Sequence, residues 1–210
     1  MSDLLSADRL AEIAYFIIAL LAGLSIHEAS HAFIADRLGD PTARRLGRVT
    51  LNPIAHLDPA GTLMMIFSAI AGWGIGWGKP VPVNPNNLRP DPKTGNAIVA
   101  VAGPVSNLLL ATVVAVFVQL GLGGVIPRDL LDTVIYVSVS LAVFNMLPLP
   151  PLDGFSVLLG LLPNGAAYSL SRLYQYGPMI LLALIVFGGS FLTRYLVFFR
   201  VPILRALGVD

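Results

Sequence analysis

Residues 10–40 read "LAEIAYFIIALLAGLSIHEASHAFIADRLGD". From Ile13 to Ile26 no charged side chain interrupts the run. A helix from about 10 to 37 is long enough to cross a bilayer, whose hydrocarbon core takes about 20 helical residues. Gly39 followed by Pro41 is a helix-stop pattern. Into the last third of this apolar helix the chain sets His27, Glu28 and His31, which are costly there and usually functional. Positions i and i+4 share one helix face, so both imidazoles can grip one zinc ion. Glu28 then stands beside the metal as a base: the pattern is H-E-x-x-H. Zinc lowers the pKa of its bound water to about 7, which makes hydroxide available at neutral pH. Three histidines and two glutamates scattered over 210 residues would form this pattern by chance roughly once in a few thousand chains.

The rest of the chain supports a membrane setting. Mean hydropathy is +0.79, and only 12% of residues are charged, against about a quarter in soluble domains. A net charge of +1 offers no electrostatic case for nucleic acid. There is no cysteine, which excludes disulfides, thiolate ligands and a cysteine nucleophile. Asp3, Asp8 and Glu12 outnumber Arg9 near the N-terminus, so residues 13–26 read as part of a retained helix and not as a cleaved signal. No repeat or long linker divides the sequence, and residues 1–210 are expected to form a single integral membrane domain.

The expected class is an all-α polytopic membrane protein. It has about four transmembrane helices, a re-entrant or extended membrane element, and its site within the bilayer. After the first helix, "VTLNPIAHLDPAG" (49–61) is broken by prolines. Residues 62–77 are apolar but short for a span, with glycines at 72, 74, 76 and 78. The prolines of "KPVPVNPNNLRPDPK" (79–93) remove backbone donors and favour extended chain. Spans are expected at about 96–122, 131–147 and 177–193, with a break at "NMLPLPPLDG" (145–154) and a short helix to about 162. The tail "TRYLVFFRVPILRAL" suits an interfacial helix or a continuation of the last span.

A catalytic zinc takes a third protein ligand. Glu12 lies four helical turns upstream, and Ile34 and Arg37 stand where an extended H-E-x-x-H-x-x-G-x-x-H motif needs Gly and His. His56 or an aspartate remains. Asp36 and Asp40 read as surface charges at a solvated helix end. Asp153 lies in "FNMLPLPPLDGFSVLLGLL", where an isolated carboxylate is disfavoured unless something binds it. Asp153 is therefore the expected third ligand, with His56 as the alternative.

Taken together, the H-E-x-x-H helix, "NPIAHLDPAGT", "GWGKPVPVNP", "AGPVSN" and "FNMLPLPPLDG" resemble the motifs of the site-two protease family of intramembrane zinc metalloproteases. The likeness runs from about residue 23 to 163. It implies one catalytic Zn2+ held by His27, His31 and Asp153, with Glu28 as general base and Asn145 matching an asparagine that engages the substrate backbone. The implied substrates are transmembrane or membrane-anchored protein segments, cleaved inside a prokaryotic cell membrane. With no PDZ-like insertion and no nucleotide-sensing domain, the chain resembles the compact branch of that family.

Arg37, Arg44, Arg45 and Arg48 place the end of the first helix, and hence the site, toward the cytoplasm. Asp153 can then reach the histidines only if residues 62–77 enter and leave on one side. His56 has two readings, polarising the scissile carbonyl or making a structural hydrogen bond. Asn145 either holds substrate or caps a broken helix. Gly103, Pro104 and Asn107 read as close-packing residues, Asn52 and Asp58 as turn formers, and Trp73 and Trp77 as interface anchors or core. A zinc or proton transporter would spread polar residues through several spans, whereas here they gather at one depth. A catalytically inactive scaffold would have no need of an intact H-E-x-x-H.

Overall fold

The computed structural model describes residues 6–71 and 77–209. Helix α1 (Ala7–Arg37) starts at Ser6, whose hydroxyl accepts from the Arg9 N–H. Asp8 in its first turn and Arg37 in its last complement the helix dipole. It stops at Leu38, because the chain turns at Gly39 with φ 108°, a left-handed backbone that favours glycine. A one-turn helix, α2 (Thr42–Arg45), follows, and then a 3-10 turn at Pro53–His56.

Helix α3 (Pro59–Ala71) does not carry the chain away. Leu57 pairs with Gly78 in an antiparallel bridge, and the Lys79 N–H donates to His56 O at 2.8 Å. A Cβ on Gly61 would collide with Trp77 O, so only glycine lets the returning chain come this close. The segment thus comes back beside its own start. Trp73 lies outside the described residues.

From Lys79 onward the chain is extended and pinned from one side. The Arg48 guanidinium donates to Lys79 O and Pro80 O. The Val81 N–H donates to Glu28 Oε2 at 2.9 Å. Asp40 accepts from the Asn84 N–H at 2.7 Å and from Asn87 Nδ2 at 2.9 Å, as well as from the backbone and hydroxyl of Thr42. Asp40 is therefore not the surface charge expected from its neighbourhood: it has 0% exposure. Arg48, one of the arginines whose charge reads as setting the topology, is buried too. Asp36 pairs with the exposed Arg44, but its own side chain is only 9% exposed, so it too is more enclosed than expected.

Helix α4 (Pro92–Gln119) opens with Asp91 accepting from the Lys93 and Thr94 N–H groups and Pro92 at its first position. Helix α5 (Arg128–Asn145) packs on both α4 and α1. Ala111 and Ala115 of α4 meet Ile135, Val139 and Val143 of α5 in one core. Ala19, Leu20 and Leu24 of α1 meet Met65 of α3 and Val137 of α5 in another. Small side chains at this centre let the helices approach closely.

Pro148, Pro150 and Pro151 end α5, and the chain restarts as α6 (Asp153–Leu161), α7 (Asn164–Ser171) and α8 (Gly177–Phe187). The last expected span breaks at Gly188, and α9 (Gly189–Ala206) packs against α5. Leu204 joins the α4–α5 core, and Arg200 stacks over Tyr136, 4.3 Å from the ring centre. The tail helix is thus part of the bundle. Among the described residues, three helical stretches are long and apolar enough to cross a membrane: Ala7–Arg37, Pro92–Gln119 and Asn164–Phe187. Helix α5, expected as a span, carries Arg128, Asp129 and Asp132 in its first turns and is not among them.

Candidate metal centre

Helix α1 presents His27 and His31 on the face that meets α4. At Gly103 of α4 an added Cβ would lie 2.5 Å from His27 Cε1 and 2.5 Å from His31 Nε2. The absence of a side chain there makes room for both rings. The third group arrives at the first residue of α6. Gly154 allows this, because a Cβ there would overlap Met146 O, and α6 therefore starts tight against the end of α5.

Three potential ligand atoms converge as a result. His27 Nε2 lies 3.0 Å from His31 Nε2 and 3.0 Å from Asp153 Oδ2. His31 Nε2 lies 3.4 Å from Asp153 Oδ1. Both histidines are buried, and the three atoms lie within 4.8 Å of one another, close enough to hold a metal ion. His31 Nδ1 is 2.7 Å from Val99 O. A carbonyl only accepts, so Nδ1 carries the proton and Nε2 turns a lone pair inward. Asp153 Oδ2, close as it is to His27, makes no directional hydrogen bond and is buried. With His27 Nε2 also unprotonated, the lone pairs facing one point repel unless a cation lies there, and two imidazoles with a carboxylate suit zinc.

The cluster opens into a cavity of about 550 Å³ lined by His27, Glu28, His31 and Asp153 on one side and by Trp77, Pro80, Val81 and Val83 of the extended segment on another. Leu24, Phe144, Leu181 and Ile185 supply apolar walls. Asn145 lines the same cavity, and its Nδ2 donates to Leu141 O at 2.9 Å, one turn back on α5. His56 is not brought to the cluster. Its Nε2 sits 2.7 Å from Thr50 O and its Nδ1 3.4 Å from Arg48, so both ring nitrogens are engaged in holding the 48–56 turn. Asn52 and Asp58 accept from the Ile54 and Gly61 N–H groups, as turn formers do.

Sequence reasoning missed the part played by α4. Val99 O, Gly103 and Asn107 stand at successive fours along one helix face, all against the two histidines. The available signal was Asn107 itself, an amide within an apolar span, which is costly unless it has a partner.

Fold and cluster together define an all-helical, membrane-type protein with a two-histidine, one-carboxylate cluster able to hold a metal ion. Among curated proteins the chain is 36% identical over 183 residues to "Putative zinc metalloprotease YwhC" of Bacillus subtilis, covering 82% of this chain and 80% of that one. It is 31% identical over 200 residues to "Putative zinc metalloprotease Rip2" of Mycolicibacterium smegmatis, covering 87% and 73%. The chain belongs to this zinc metalloprotease family. No family model matches it, and no solved structure does.

Proposed function

We propose that the protein is an intramembrane zinc endopeptidase of the site-two protease type, in its compact form, acting on transmembrane or membrane-anchored segments. The observation that carries this reading is the convergence of His27, His31 and Asp153 in a cavity that also holds Glu28. Two of the helices that line it, Ala7–Arg37 and Pro92–Gln119, are apolar enough to span a bilayer. His27, His31 and Asp153 would hold the zinc. When bound, zinc supplies Lewis acidity that acidifies water and polarises the scissile carbonyl.

The chain's own residues do the rest. Glu28 accepts a proton from the attacking water and returns it to the leaving amine. Its Oε2 is held by the Val81 N–H, which leaves Oε1 as the working oxygen. Asn145 presents its side-chain oxygen to an N–H of an unwound substrate, while its Nδ2 donates to Leu141 O. The apolar walls exclude water and suit the side chains of a membrane segment. The Leu57–Gly78 bridge supports the re-entrant path expected for residues 62–77, and Arg37, Arg44 and Arg45 after α1 favour a site toward the cytoplasmic side.

Glu28→Gln tests this reading directly. Zinc should stay at one equivalent, while cleavage falls at least ~10²-fold on loss of a general base. Mass spectrometry of membrane peptides from cells carrying active or Glu28→Gln protein then identifies the substrates. An undiminished peptide pattern in the variant rejects the protease.

A further inference from the structure

The two imidazoles lean on α4 in matched ways. His31 Nδ1 meets Val99 O at 2.7 Å, and eight residues on, two helical turns along the same face, Asn107 meets His27 Nδ1 at 3.3 Å. Asn107 is fully buried. As oriented, its Nδ2 faces the ring and its Oδ1 is buried with no partner. That orientation suits a histidine whose Nδ1 is bare and whose Nε2 carries the proton. Such a ring cannot offer Nε2 to a metal. Once Nε2 becomes a ligand, Nδ1 must hold the proton, and an amide N–H against a ring N–H sets donor against donor. A half-turn of the carboxamide exchanges its two ends at no steric cost.

We infer that Asn107 is a positioning residue for His27, its side-chain oxygen accepting the Nδ1 proton so that Nε2 faces the metal as a lone pair. This rests on the zinc reading of the cluster proposed above. It assigns α4 a task beyond packing: a backbone carbonyl fixes one ligand's tautomer and a side-chain amide fixes the other's. Of the two, only the amide can be altered by substitution.

The test uses the full-length, metal-stripped protein in detergent, titrated with Zn2+ against a chromophoric chelator. Wild type should take up one ion, and His27→Ala should lose it. Asn107→Leu, close in size but without an acceptor, should bind about 10–100-fold more weakly, as when outer partners of metal-bound histidines are removed. Asn107→Asp keeps the acceptor and cannot donate, so it should bind at least as tightly as wild type. That rescue separates positioning from packing, since a packing role has no reason to prefer a carboxylate to leucine. Wild-type affinity in Asn107→Leu, or weaker binding by Asn107→Asp than by Asn107→Leu, overturns the inference while leaving the zinc site standing. A wild-type protein that binds no zinc overturns both. A measurement free of variants addresses the tautomer itself: in zinc-loaded protein with 15N-histidine, NMR should find His27 Nδ1 protonated. An unprotonated Nδ1 refutes the assignment.

Discussion

Gly103→Ala is the smallest change that should disable the centre, since it adds one methyl group where α4 meets both histidines. The new Cβ would lie 2.5 Å from His27 Cε1, 2.5 Å from His31 Nε2 and 2.6 Å from His31 Cε1. Carbon contacts rest at about 3.5–4.0 Å, so the rings must retreat by roughly 1 Å or α4 must move away from α1. Neither ring has a free path: His31 is tied to Val99 O on the same helix, and His27 is backed by Asn107. Metal–ligand distances tolerate about 0.2 Å, and a 1 Å misplacement costs on the order of 10²-fold in rate. Zinc content should therefore drop well below one equivalent, and cleavage should fall at least ~10²-fold. Stability should change little by comparison. Alanine favours a helix interior by about 1 kcal/mol over glycine, against an overpacking cost of about 1–3 kcal/mol. The assay pairs metal analysis, cleavage of a membrane peptide and thermal melting in one detergent. A Gly103→Ala protein with one zinc and a wild-type rate would refute the placement of α4 against the site.

Two further predictions concern the extended segment. Val81 precedes Pro82 and is therefore biased to extended backbone already, so Val81→Pro removes little beyond the N–H that Glu28 accepts. Zinc should stay bound and kcat should fall about tenfold, roughly 1.4 kcal/mol; an unchanged kcat shows that this hydrogen bond does not orient the base. Asp40→Ala strips the partner from four donors on Thr42, Asn84 and Asn87, and at about 1–3 kcal/mol for each buried donor left unmet, partly relieved by water, a loss of about 3–5 kcal/mol is expected by denaturant titration. Burial alone would raise the Asp40 carboxyl, but hydrogen bonds from Thr42, Asn87 and Asn84 outweigh it and hold the group below its ordinary value. With the folded pKa below the unfolded one of about 3.9, its stabilisation is complete above that pH and fades as pH falls through the folded value. Melting curves of wild type should therefore decline more steeply below about pH 4 than those of Asp40→Asn, and parallel curves would count against the Asp40 clasp.

What the sequence settled by itself was local. His27 and His31 face one way because they stand four apart on a helix, and Glu28, three residues before His31, lies at the edge of that face. Helix α1 ends where Gly39 takes the left-handed turn, and α5 ends where three prolines deny it donors. Asp153 stood out through the cost of a bare carboxylate in an apolar run, a rule that needs no coordinates. Composition and charge made the chain a membrane-type protein in the same way. Tertiary structure decided whatever depends on partners distant in sequence. Asp40 looked like a surface charge and Arg48 like part of a cytoplasmic basic run, yet Asn84, Asn87, Lys79 and Pro80 enclose them. His56, an alternative ligand on paper, spends both ring nitrogens on Thr50 and Arg48. The tail helix joined the bundle because Leu204 and its neighbours found an apolar face on α4 and α5. Gly103 and Asn107 read as packing residues because nothing in their own stretch shows that two imidazoles from a helix some eighty residues earlier will lie against them. Periodicity and burial cost act within a few residues and can be read along the chain, whereas a hydrogen bond to a distant segment exists only once the helices have packed.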